Sequence, residues 1–83
     1  MGREKAEKPT RLAAKLKQIR LTLGMSQSEM TKALERQGVK IQRTSVALYE
    51  ISDRAPTLLI TLAYARIAGV SMETLVDDKL DLP

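Results

Sequence analysis

Gly24, Gly38 and Gly69 each follow a short stretch in which apolar residues recur every three or four positions. Glycine closes helices because it takes the left-handed conformation at little cost. A chain stopped this often has no room for a long helix. No segment alternates in the β-branched pattern of strands, and the Asn-Gly and Asp-Gly turns of hairpins are missing. The spacing therefore predicts an all-α fold of short helices. The 83 residues make one domain. A domain of this size buries only about 60–65% of its unfolded surface, so its core is thin and a dimer partner would support it.

Leu12, Leu16, Ile19 and Leu23 form one apolar stripe, with Pro9 and Thr10 just before it, and predict helix 1 over roughly residues 10–23. Ser26-Gln27-Ser28-Glu29 is a capping box. It opens helix 2, whose apolar face is Met30, Ala33 and Leu34 and which ends near Gln37. Residues 39–42 have no period and read as loop. Helix 3 runs from Thr44 to Glu50, with Val46 and Tyr49 inward and Thr44, Ala47 and Leu48 on the other side. Pro56 breaks any helix running into it. Thr57 then caps helix 4, Leu58 to Ala68, and Ser71 caps helix 5, Met72 to Val76. The organisation expected is a flexible arm over residues 1–9, a helical domain over 10–76 and a frayed acidic tail over 77–83.

Neither cysteine nor histidine occurs. Disulfides, thiolate nucleophiles and zinc-thiolate sites are excluded, and so are the commonest general base and metal ligand. No two carboxylates stand at helical spacing toward a common cleft, so the chain reads as no enzyme, with no metal, cofactor or small-molecule substrate. The longest uncharged run, Ala55 to Ala65, is too short to span a bilayer. The first residues alternate in charge and lack the apolar stretch of a secretory signal. A cytoplasmic protein is expected. Residues 1–54 hold 12 basic and 6 acidic side chains; residues 55–83 hold 2 and 4. A basic first part suits a polyanionic partner, though a merely solubilising surface has the same composition.

Helices 2 and 3 lie in that basic part, joined by a glycine-containing connection. In a helix-turn-helix, the second helix of such a pair enters the major groove of DNA while the first crosses the backbone. The chain resembles the lambda-repressor/Cro-like (XRE-type) helix-turn-helix family from about Leu16 to Val76. The matching pieces are Arg20 to Met30, then Glu50, Arg54 and Pro56 at the spacing E-x-x-x-R-x-P, then Pro56 to Val70 and Ser71 to Leu75. Two departures stand out. The connection between helices 2 and 3 is lengthened, and Ile51-Ser52 replaces the family's usual Asn-Gly. The fold implied is a five-helix lambda-repressor-like bundle.

The function implied is a DNA-binding transcriptional regulator, most simply a repressor that binds a palindromic operator as a dimer and works at the nucleoid. By the resemblance, Arg43, Thr44, Ala47 and Leu48 read bases; an arginine fork matches guanine O6 and N7, and an apolar side chain meets a thymine methyl. Gln27, Lys40, Gln42, Ser45 and Arg54 are the phosphate candidates. Arg11, Lys15, Lys17 and Arg36 are weaker ones. Arg20 and Glu50 are expected as a structural ion pair that fixes the reading helix. Tyr64, Ile67, Met72, Leu75 and Val76 are candidates for a homodimer contact, since helix 4 carries more apolar residues than one face needs. The competing function is an antitoxin or adaptor that keeps the bundle for protein interaction and has little sequence-specific DNA binding.

Overall fold

The structure, a computed structural model, describes residues 9–83; the arm expected at the N-terminus lies outside the described residues except for Pro9. Five helices follow in order, α1 (Leu12–Thr22), α2 (Gln27–Arg36), α3 (Arg43–Glu50), α4 (Leu58–Ala68) and α5 (Met72–Val76), with no strand among the described residues. The fold is an all-α bundle of five helices. α1 packs on α3 and α5, α2 on α3 and α4, and α4 on α5. Leu16, Met30, Leu34, Val46, Tyr64 and Leu75 are fully buried where these faces meet. Burying each such aliphatic side chain contributes about 1.5–3 kcal/mol.

The caps form as their residues demand. Ser26 and Glu29 complete both halves of the capping box, at 3.0 and 2.7 Å. Thr57 accepts from the Ile60 amide and Ser71 from the Thr74 amide. Leu23 departs from the expected stripe. α1 stops at Thr22, so Leu23 falls past the last turn and is 44% exposed. The connection over residues 37–42 is also more ordered than a periodless stretch implies. The Val39 amide donates to the Leu34 carbonyl at 3.1 Å, and Val39 and Ile41 pack against the core.

The tail over residues 77–83 does not fray. α1 has neither a side-chain cap of its own nor an acidic residue in its first turn. Asp78 supplies both, accepting from the Thr10 amide and hydroxyl at 2.9 Å each and from the Arg11 amide at 3.0 Å. Those three bonds hold the Asp78 carboxyl below the ordinary carboxylate range. In return, the buried Lys15 Nζ donates to the carbonyls of Thr74 and Asp77, at the end of α5. The Arg11 guanidinium binds the carbonyls of Asp78 and Leu80 and pairs with Asp81 at 2.7 Å. Leu82 rests on the core. Among the described residues, no helix is long and apolar enough to cross a membrane.

Candidate nucleic-acid interface

α3 owes its orientation to three inward residues. Val46 and Tyr49 are buried in the core, and Glu50, on the last turn, is 9% exposed. Helical geometry then sends Arg43 and Thr44 outward, and both are exposed. Ala47 and Leu48 are half-buried along the edge of the same face. Gln42 is the N-cap but makes no capping bond, and its side chain is exposed. Lys40 is exposed just upstream, at the end of the anchored connection. Ser45 is half-buried toward Tyr49, whose phenol is pushed up by burial and drawn partly back by Arg54 and Ser45.

An ion pair pins the other end of α3. Arg20 Nε donates to Glu50 Oε2 at 2.7 Å and Nη2 to Oε1 at 3.0 Å, a two-bond fork. The third arm, Nη1, donates to the Met25 carbonyl at 2.9 Å, in the turn before α2. One guanidinium thus ties α1, the start of α2 and the end of α3 together. The bonded carboxylate raises the Arg20 pKa above its ordinary value. The side chains are only 13% and 3% exposed, so this pair is not available to a ligand. Gln27 belongs partly to the same cluster. Its Nε2 donates to Glu50 Oε1 at 3.4 Å, and the second N–H of that amide has no partner among the described residues.

Several candidates are redirected. Arg11 and Lys15 are engaged by the tail and present no free charge to a polyanion. Tyr64 and Leu75 are fully buried and make no dimer contact in this fold. α4 is covered on more than one side, which absorbs the apolar surplus that marked them for a partner. Ile67 and Met72 also pack against the core, half-buried; Val76 is 41% exposed.

The three most exposed large apolar side chains lie elsewhere. Ile51 is 70% exposed, Leu58 74% and Leu59 66%. Adjacent helical residues point about 100° apart. The run Leu58-Leu59-Ile60 therefore has no single side to face, and only Ile60 turns to the core. That triple run was the signal the periodic stripes concealed. The chain between α3 and α4 is nonetheless firmly set. The amides of Asp53 and Arg54 both reach the Leu48 carbonyl, at 3.0 and 3.4 Å, and Ser52 takes φ +63°, where glycine is usual.

In comparisons with known proteins, no family model, no curated protein and no solved structure matches the chain.

Proposed function

We propose that the protein is a sequence-specific DNA-binding regulator of the lambda-repressor-like kind, most simply a repressor. The observation that carries this reading is the setting of α3. Its inner face is locked by Val46, Tyr49 and the Arg20–Glu50 pair, while Arg43 and Thr44 stand free at its start. A reading helix needs this combination of a fixed back and a hydrogen-bonding front. Arg43 and Thr44 address base edges, with Ala47 and Leu48 against thymine methyl groups. Lys40, Gln42 and Ser45 lie at the same end and take phosphates, and the remaining amide N–H of Gln27 takes one from beside the far end of α3. The basic first part of the chain favours approach to DNA, and the working place is the nucleoid in the cytoplasm.

Selection of binding sites from randomised duplex DNA at about 0.15 M salt tests the reading, because sequence-blind binding is weak there. Enrichment of a palindrome supports it. Enrichment of no sequence transfers the assignment to a protein-interaction module of the antitoxin or adaptor kind. The feature that favours that second reading is the short polar roster of α3, where Ala47 and Leu48 follow Arg43 and Thr44 on the outer edge.

A further inference from the structure

We propose that the cleft beside the C-terminal tail is a binding site for a small neutral molecule, one ring in size, that carries a single hydroxyl group. The cleft has a volume of about 320 Å³ and lies where the end of α1, the end of α4 and the tail converge. Ile19, Leu23, Ala68, Val70 and Leu82 give it apolar walls. The α1 stripe that buries Leu12, Leu16 and Ile19 in the core runs on to Leu23, which borders the cleft and stays largely uncovered. The core thus opens here onto an apolar recess.

The occupant follows from size and charge. Small-molecule sites measure about 300–1,000 Å³. A site at the lower limit takes a single ring with a short substituent, not a helix about 10 Å across. No charged side chain lines the cleft, in a chain in which 29% of the residues are charged. An ion would lose its water there and gain no counter-charge, so the ligand is neutral. The polar contribution is one pair of side chains, both exposed. Gln18 Nε2 donates to Thr22 Oγ1 at 3.0 Å. The Gln18 amide oxygen and the Thr22 hydroxyl hydrogen have no partner among the described residues, which leaves one acceptor and one donor. A hydroxyl on the ligand answers both. Leu82 belongs to the tail that Asp78 ties to the start of α1, so an occupant bridges that tail to both helices. This site stands whether or not α3 reads DNA.

The test uses benzyl alcohol as the probe, followed through the backbone amide resonances of the full chain up to about 20 mM. Saturable shifts centred on Gln18, Thr22, Val70 and Leu82 are expected, with half-saturation at about 1–5 mM. Benzoate has nearly the same shape but a charge, and binds about tenfold more weakly or worse. Thr22→Val keeps the shape of an exposed side chain and removes its hydroxyl. It weakens benzyl alcohol by about threefold or more and leaves toluene unchanged. Ala68→Leu fills the cleft and abolishes the saturable shifts with the parent's helical circular dichroism retained; if it unfolds the chain, the Thr22→Val pair of probes decides. Shifts that rise linearly to the highest concentration overturn the proposal. So do benzoate binding as tightly as benzyl alcohol, a Thr22→Val variant that treats both probes as the parent does, and a folded Ala68→Leu variant that still binds.

Discussion

Arg20 and Glu50, thirty residues apart, share two hydrogen bonds of 2.7 and 3.0 Å in a site where the carboxylate side chain is 3% exposed. A buried pair of this kind is costly to break from one side, because the survivor keeps its charge without a partner. Arg20→Ala is expected to lower stability by about 3 kcal/mol in urea unfolding. Replacing both residues, Arg20→Met with Glu50→Leu, should lose less than the single change. If Arg20→Ala instead kept full stability and lost only DNA binding, Arg20 would be a contact and not a brace.

Arg43 carries the sharpest test of the reading face. Arg43→Ala should cost about 1–3 kcal/mol on the selected duplex and relax the preference at one base position. Lys40→Ala should weaken binding to all duplexes alike and reduce the salt slope by about one. Titrations of both variants on selected and random duplexes at two salt concentrations decide the matter. Equal loss on both duplexes for Arg43→Ala would make it another phosphate contact.

Acid should loosen the tail. Asp78 is held below the ordinary carboxylate range by the amides of Thr10 and Arg11 and the Thr10 hydroxyl, and Glu29 is lowered by its bonds with Ser26. A lowered folded pKa means that the ionised form stabilises the fold. That stability is complete above the unfolded values near about 4 and drains away as pH falls through them toward the folded ones. The thermal midpoint should therefore drop between about pH 6 and about pH 3. Asp78→Asn should lower the midpoint at the upper pH and flatten the slope below it. An unchanged slope would show that the tail is not seated in solution.

The Tyr64 hydroxyl is buried without a hydrogen-bond partner among the described residues, and burial holds its ionisation far above the ordinary phenol range. An orphaned buried hydroxyl is a liability that phenylalanine removes at nearly the same shape. Tyr64→Phe is expected to raise stability by about 1 kcal/mol in urea unfolding. A loss of about 0.5 kcal/mol or more would mean that the hydroxyl is bonded after all.

Ser52 holds a conformation that strains a side-chain-bearing residue, at φ +63°. The strain is about 1–2 kcal/mol, partly offset in glycine by its greater freedom when unfolded. Ser52→Gly should stabilise the protein by about 0.5 kcal/mol, and Ser52→Val should destabilise it by more. Opposite signs for the two, measured by thermal unfolding, check the assignment.

Local chemistry was legible in the sequence and distant chemistry was not. The Ser26 box, the Thr57 and Ser71 caps and the limits of α4 and α5 depend on residues a few positions apart, and each formed where those residues stood. The division of α3 into Val46 and Tyr49 inside and Thr44 outside followed from helical spacing alone. Asp78 capping α1 was invisible, because its partners lie 67 and 68 residues away and no spacing rule connects them. Tyr64 and Leu75 looked like surplus because periodicity counts the faces of a helix and not the neighbours that cover them.

The mutual hold between the two ends of the domain sets a schedule for its birth. Arg11 waits for Asp81, seventy residues later in the chain. At about 5–20 residues per second, a ribosome needs about 4–14 s to make the interval. Until then the first helix has no cap and Lys15 no carbonyls to bind. The nascent chain therefore completes the seat of α1 only once the segment around Asp81 has been made.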